Sequence, residues 1–203
     1  MLIADDDRFE DLVIRLITDY SGMKEYMKAK IRAAKEDYDF LESDIYSYIA
    51  MPSPLQSLGV TSHASGSCGQ TADLAIRKDE VVQQIREELI MLINMLETEL
   101  QEYFRIHAVY MVLPMQHHQV LQKRYVDDES CEKIAKDMEK RKDTVCQWRR
   151  NGLYYIRAGF FSKLTIRQLL SLQKNAQGGN DPDITWDKII REYEKNKTRE
   201  GSE

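Results

Sequence analysis

The sequence predicts an all-α fold, in which an N-terminal long helical hairpin precedes a C-terminal helix-turn-helix domain. Three observations predict helices. The 203 residues include only 9 Gly and 4 Pro, too few for a turn-rich β-sandwich or barrel. The chain is 31% charged and 42% hydrophobic, a balance that favours helices. Apolar residues recur three or four positions apart over long stretches, which is the spacing of one helix face.

Residues 1–50 are predicted to form the N-terminal helices. Residues 9–20 carry apolar side chains at helical spacing, and Ser21 and Gly22 then predict a stop. Residues 23–50 contain neither Gly nor Pro and predict one long helix. It is expected to end near Met51, because the following prolines cannot donate backbone hydrogen bonds.

Two further segments complete the predicted hairpin. Residues 51–71 are rich in Ser, Gly, Thr and Pro, and this composition predicts a flexible linker. Residues 72–112 again lack Gly and Pro and predict a long helix that pairs with residues 23–50. Its apolar side chains step by 3, 4, 3 and 4 positions, over two heptads: Val82, Ile85, Leu89, Leu92 and Leu96. This seam fits a bundle core, a homodimer through the long helices, or both.

The charge distribution marks one segment for phosphate contact. The net charge of −5 counts against nucleic-acid binding if it is spread evenly, but residues 139–167 hold eight bases and only two acids. Binding to DNA or RNA depends on the local density of Lys and Arg, because these groups displace condensed counterions. A solvated basic helix face is the alternative explanation.

Residues 113–160 predict a helix-turn-helix domain. Pro114 suits the first turn of a helix that ends near Val126. Ser130 is a predicted N-cap for a second helix that runs to about Met138, and Glu132 lies in its first turn. Two helices that cross steeply need a small residue at the crossing and apolar residues around it. The predicted core comprises Ile134, Ala135, Met138, Val145 and Trp148.

The third helix of this domain is the predicted DNA reader. At about 100° per residue, its polar side chains cover the arc that does not face the core. The candidate DNA-binding residues are Lys140, Arg141, Lys142, Thr144, Gln147, Arg149 and Arg150. Arg and Gln can form paired hydrogen bonds with guanine and adenine edges, whereas Thr144 and the bases can equally hold phosphates.

The run LPMQHHQVLQKRYVDDESCEKIAKDM, followed by TVCQW, resembles the fourth region of bacterial sigma-70-type factors. Together with the upstream helices, the chain is similar to phage-encoded late transcription regulators of the ArpU and RinA type, from prophages of Gram-positive bacteria. The resemblance implies a DNA-binding activator of phage late or lysis genes in the bacterial cytoplasm. The chain departs from the family pattern at the turn, where Glu139 and Arg141 stand in place of Gly and a capping Ser or Thr.

The sequence gives little support for enzyme activity, metal binding or membrane insertion. No phosphate-binding Gly loop, GxSxG or HExxH motif occurs, so no enzyme activity, cofactor or metal site is predicted. His117 and His118 point about 100° apart on a helix and are predicted to be surface residues. Three scattered cysteines predict reduced thiols in the cytoplasm. No stretch reaches the ~20 apolar residues that span a bilayer.

Two hypotheses compete with an independent DNA-binding regulator. A sigma-like subunit would bind promoter DNA only in complex with RNA polymerase. A helical assembly protein would not bind DNA, and its basic segment would be incidental. Residues 161–203 predict a helical extension with a frayed tail.

Overall fold

A computed structural model describes residues 6–43, 68–176 and 185–200, and the protein is all-α, as predicted. No strand occurs in these three ranges. Residues 44–50 of the predicted second helix and residues 51–67 of the predicted linker lie outside the described residues. The helices are α1 (Asp6–Ser43), α2 (Cys68–Met111), α3 (Met115–Tyr125), α4 (Cys131–Asp137), α5 (Lys142–Phe161), α6 (Ile166–Ala176) and α7 (Trp186–Glu200).

Helix α1 is broken at Asp19, where φ is −142° and ψ is 59°. The Asp19 carboxylate accepts a hydrogen bond from the Gly22 amide (Oδ1 to N, 2.9 Å), so it caps the segment that follows. A Cβ on Gly22 would lie 2.2 Å from Asp19 Oδ2, which explains why glycine occupies that position. The first helical segment is therefore interrupted two residues before the predicted stop at Ser21 and Gly22, and these two residues belong to the first turn of the segment that follows.

Helix α2 begins at Cys68, so the predicted linker boundary at residue 71 was wrong. The chain divides into two compact units, and their boundaries lie inside helices α1 and α2. Unit 1 comprises Met1–Lys24 and Gln101–Glu203, and unit 2 is Glu25–Leu100. The first helical segment thus belongs with the helix-turn-helix domain, although the sequence predicted consecutive domains. Charge and periodicity along the chain carry no information about this long-range pairing.

Unit 2 contains the helical hairpin. Lys35 on α1 forms an ion pair with Glu97 on α2 (Nζ to Oε1, 2.7 Å). The first and last residues of the predicted seam, Val82 and Leu96, are buried, and Leu92 is 39% exposed. Val82 and Leu96 belong to the small core of unit 2, whose buried side chains are Met27, Ile31, Ala34, Leu41, Val82 and Leu96.

In unit 1, the start of α1 packs against the C-terminal helices. Phe9 lies against Phe160 at the end of α5, with ring centroids 5.4 Å apart. Helix α7 is held by Trp186, which stacks on Tyr155 (5.3 Å) and donates from Nε1 to the Val112 carbonyl (3.3 Å). The predicted frayed tail was wrong as far as Glu200, because α7 continues to that residue. Residues 201–203 lie outside the described residues.

None of the described helices combines the length and the apolar character that a membrane crossing requires.

Candidate nucleic-acid interface

Helices α3 and α4 begin as the sequence predicts. Pro114 is the N-cap of α3. Ser130 is the N-cap of α4, and its Oγ accepts a hydrogen bond from the Lys133 amide (3.2 Å). Glu132 lies in the first turn of α4, where a carboxylate is favoured by the helix dipole. A side-chain cap therefore fixes the start of α4, whereas α3 starts after a proline that makes no capping hydrogen bond.

The turn between α4 and α5 is a Schellman motif. The Lys140 amide donates to the Ala135 carbonyl (2.9 Å), and the Glu139 amide donates to the Lys136 carbonyl (3.1 Å). Glu139 has a φ of 54°, in the left-handed region that favours glycine. A non-glycine residue in this region costs roughly 1–2 kcal/mol. The backbone thus adopts the glycine-type turn at the position where this sequence carries Glu.

All five predicted core residues lie together. Val120 of α3 and Val145 of α5 are fully buried with Ile134 and Ala135 of α4. The side chains packed around them are those of Cys131, Met138 and Trp148. Because this cluster joins three helices, it fixes the first turns of α5 against α3 and α4 and leaves their opposite face exposed.

Helix α5 begins at Lys142 with Arg141 as its N-cap, and no described side chain caps its first amides. Cations at this end oppose the helix dipole, whereas an anion would be favoured there. Lys142 Nζ lies 2.6 Å from Glu132 Oε1 on α4. The hydrogen bond that Lys142 donates to the Glu132 carboxylate raises the pKa of Lys142, so this lysine stays charged.

The predicted DNA-binding residues divide into two groups. Five of them are exposed at the start of α5 and on its outer face: Lys140, Arg141, Lys142, Gln147 and Arg150. Thr144 and Arg149 are only partly exposed.

Arg149 points away from the exposed face and toward Tyr125, the last residue of α3. Its positive charge lies near the Tyr125 hydroxyl and acts to lower the pKa of that group. Its Nε is buried and finds no partner within the described part of the chain. Burial raises the pKa of Tyr125, and Glu10 of α1 adds to that increase. Arg149 of α5 therefore lies beside the end of α3, a proximity that helical spacing alone could not reveal.

The basic block of residues 139–167 is likewise not one surface. The Arg157 guanidinium carbon lies 5.4 Å from the ring centroid of Phe9, and its Nε donates to the Tyr193 hydroxyl of α7 (2.8 Å). This arginine packs within unit 1 on the buried side of α5. The number of bases in a segment sets its charge but not the direction of each side chain.

The histidine prediction was wrong for His117, which is 4% exposed. Its ring lies 4.9 Å from that of Tyr155, and its Cβ lies 3.4 Å from the position a Cβ on Gly152 would occupy. His118 is partly buried and stacks on Tyr110 at 4.5 Å. Burial lowers the pKa of both imidazoles. The missing side chain of Gly152 was the sequence signal for this close approach between α3 and α5.

Cys131 of α4 and Cys146 of α5 lie near each other. Both cysteines are partly buried. Burial, with the neighbouring Cys131, raises the pKa of Cys146. A raised pKa keeps the thiol protonated and disfavours nucleophilic chemistry.

Comparison with protein-family models, curated proteins and solved structures found no match to this chain. Functional inference therefore depends on the geometry of the site itself.

Proposed function

We propose that this protein is a sequence-specific, double-stranded DNA-binding regulator of transcription, and an activator of phage late or lysis genes, as the resemblance implies. Helix α5 is the proposed recognition helix. One observation carries the proposal: a packed helix-turn-helix core leaves the start of α5 exposed, with cations and one amide on its outer face.

Gln147 and Arg150 are the proposed base-reading residues. They lie three positions apart on α5, both exposed, and therefore project from the same face one turn apart. Gln can bond adenine through N6 and N7, and Arg can bond guanine through O6 and N7. DNA recognition of this kind needs no cofactor.

Lys140 and Arg141 are the proposed phosphate contacts. They are exposed immediately before the first turn of α5, whose amides no described side chain caps. A DNA phosphate at this position would offset the repulsion between these cations and the helix dipole. Lys142 is a weaker candidate, because Glu132 already neutralises its charge.

Selection from random duplexes tests the proposal. The free protein is incubated with a pool of random double-stranded DNA at two salt concentrations, and the retained duplexes are sequenced. We expect one enriched motif, and affinity for it should fall steeply with salt, because bound cations release counterions from phosphates. Retention without an enriched motif would contradict sequence-specific reading.

The same selection separates the proposed regulator from the two competing hypotheses. No retention by the free protein, with recovery when bacterial RNA polymerase is added, would favour the sigma-like subunit. No retention under either condition would favour the assembly protein. Homodimerisation through the long helices is a separate proposal that concerns unit 2.

A further inference from the structure

Helix α7 lies over the second half of the α5 face that carries the proposed base-reading residues. Gln147, Tyr154 and Phe161 are spaced seven positions apart, so they lie within roughly 40° of one another around α5. The Tyr154 hydroxyl donates to Glu194 Oε1 of α7 over 3.2 Å. The ring centroids of Phe161 and Tyr193 lie 6.2 Å apart. Beyond the proposed reading residues, α7 therefore occupies the side of α5 that would face DNA.

The exposed first part of this face matches the width of a major groove. Between Lys142 and Arg150, α5 rises about 12 Å at 1.5 Å per residue. The major groove of B-DNA is ~12 Å wide. A helix that crosses the groove over this length has the proposed phosphate contacts Lys140 and Arg141 at one edge and α7 at the other. Since α7 lies on the DNA-facing side of α5, it would stand between α5 and the phosphate strand at that second edge.

The outer side of α7 is basic at its centre. Lys188, Arg191 and Lys195 are exposed, and spacings of three and four positions place them within roughly 35° of a common direction. Trp186 and Tyr193, whose rings pack on tyrosines of α5, point the other way, roughly 140–180° from the three bases. We name these three bases the basic stripe. It is about 10 Å long and lies on the side of α7 where the phosphate strand would be.

The acids of α7 lie beside the basic stripe and not on it. Asp187 and Glu192 are exposed and lie roughly 70° to either side of its centre. Asp187 is in the first turn, where the helix dipole favours a carboxylate. Glu194 lies farther round and accepts the hydrogen bond from Tyr154. Among the described side chains of α7, the centre of the outer side therefore carries three positive charges.

A crevice between the end of α5 and α7 adds a fourth base beside the stripe. Its volume is about 250 Å³, and Lys163 and Lys195 both line it. Asn196 adds an amide, and Glu192 is the single acid among the lining residues. Ammonium and amide groups can both donate hydrogen bonds to phosphate oxygens. The basic surface therefore continues from α7 to Lys163, just beyond the end of α5.

A duplex bound to the proposed reading residues supplies the anion that this surface fits. From Arg150 to Tyr154, α5 rises about 6 Å, so α7 begins to cover the face one turn beyond the last reading residue. The basic stripe is therefore near enough to meet the backbone of the same duplex. At 3.4 Å of axis per phosphate, a stripe of this length reaches roughly three phosphates of one strand.

We propose that the basic stripe of α7, with Lys163, is a second phosphate contact that holds the DNA strand at the edge of the groove that α5 enters. This inference rests on the proposed DNA binding. It assigns sequence reading to the first turns of α5 and sequence-independent affinity to α7, because contacts to phosphates position a protein without reading bases.

Binding titrations of the full-length chain test the proposal. The triple change Lys188→Ala, Arg191→Ala, Lys195→Ala is compared with the wild type by fluorescence anisotropy, on a duplex with the selected motif and on a random-sequence duplex of equal length. The dependence of log affinity on log salt should become shallower by ~1 to ~3, since each lost phosphate contact removes about 0.9 from the slope. In 0.1 M salt, affinity should fall at least ~10-fold on both duplexes.

The triple change Lys28→Ala, Lys30→Ala, Arg32→Ala is the matched control. These bases are exposed on α1 in unit 2, and the control loses the same charge as the α7 variant. Its affinity and salt slope should stay near those of the wild type. The helical circular dichroism of both variants should not change, because alanine favours helix at exposed positions. An equal loss of affinity in the control would assign the effect to net charge and overturn the inference.

The proposed function and this inference fail in different ways. A wild type that binds neither duplex would overturn both. A wild type that binds DNA, with an α7 variant of unchanged affinity and salt slope, would overturn the inference alone. An α7 variant that binds the random duplex normally and the selected motif weakly would show that α7 reads bases, which also contradicts the inference.

Discussion

The guanidinium of Arg105 on α2 donates from Nε to the main-chain carbonyl of Phe160, at the end of α5, over 2.6 Å. The same group donates to the carbonyls of Leu164 (2.8 Å), Gly159 (3.2 Å) and Ser162. The last carbonyls of a helix have no partner within the helix, and this arginine supplies donors for them from another helix. It therefore anchors the C-terminal end of the proposed recognition helix to α2.

Replacement of Arg105 by methionine should lower the free energy of unfolding by about 2–3 kcal/mol, because it leaves several carbonyls without their charged donor. The free energy of unfolding of Arg105→Lys should lie between those of Arg105→Met and the wild type, since an ammonium group cannot reproduce the planar set of donors of a guanidinium. Urea denaturation followed by circular dichroism measures both changes. Arg15→Met, at an exposed position on α1, is the control and should stay within about 0.5 kcal/mol of wild type.

The left-handed turn at Glu139 predicts a stabilising substitution. Glu139→Gly should raise the free energy of unfolding by about 1 kcal/mol, because glycine adopts a positive φ without steric conflict. Glu139→Ala separates this backbone effect from loss of the carboxylate and should bring no such gain. Thermal melts of the wild type, Glu139→Gly and Glu139→Ala measure the difference. Equal stabilisation by alanine and glycine would show that loss of the carboxylate, and not the backbone conformation, causes the effect.

Acidification should destabilise unit 1. Burial lowers the pKa of His107, His117 and His118, and Lys24 adds to the effect at His107. Below the unfolded-state pKa of about 6.5, the unfolded chain binds protons that the folded chain does not, so the stability falls as the pH falls. Above that pH the histidines are neutral in both states and contribute no pH dependence.

Urea midpoints at pH 7.5, 6.5 and 5.5 measure this effect. We expect a small fall between the first two values and a larger fall between the last two. The carboxylates of Glu132 and Asp137, whose pKa values their lysine partners Lys142 and Lys123 lower, titrate at more acidic pH. A His117→Phe variant should show a shallower fall, and a midpoint that rises toward pH 5.5 would refute the explanation.

Arg149 and Arg150 are neighbours in sequence but should give different phenotypes. Arg150→Ala should leave thermal stability within about 0.5 kcal/mol of wild type and weaken binding to the selected duplex by about 1–3 kcal/mol, because it removes only an exposed side chain. Arg149→Ala should lower the free energy of unfolding by about 1 kcal/mol, since it removes a half-buried side chain whose Nε is buried at the side of α5 near Tyr125. Anisotropy titrations and thermal melts of both variants provide the comparison.

The outcome that contradicts this division is an Arg149→Ala protein with wild-type stability and impaired DNA binding. That result would indicate that the Arg149 side chain lies on the exposed face of α5 and contacts DNA.

Sequence patterns predicted what local chemistry decides. Ser130 predicts the start of α4 because its hydroxyl caps an amide only three residues away. The core around Ile134 and Val145 is predicted by helical spacing. The contacts of Arg149 and Arg157 could not be predicted in this way, because they depend on Tyr125 and Phe9, which lie far from them in sequence. The buried His117 follows from the space above Gly152, which becomes visible only when α3 and α5 are packed.

The contact between Phe9 and Phe160 also constrains when unit 1 can fold during synthesis. Some 150 residues separate the two rings, and at 5–20 residues per second a ribosome needs roughly 8–30 s to add them. During that interval the apolar side of the first helical segment, including Val13 and Leu16, lacks the partners it has in the finished protein. Unit 1 is therefore completed only after most of the chain has been made.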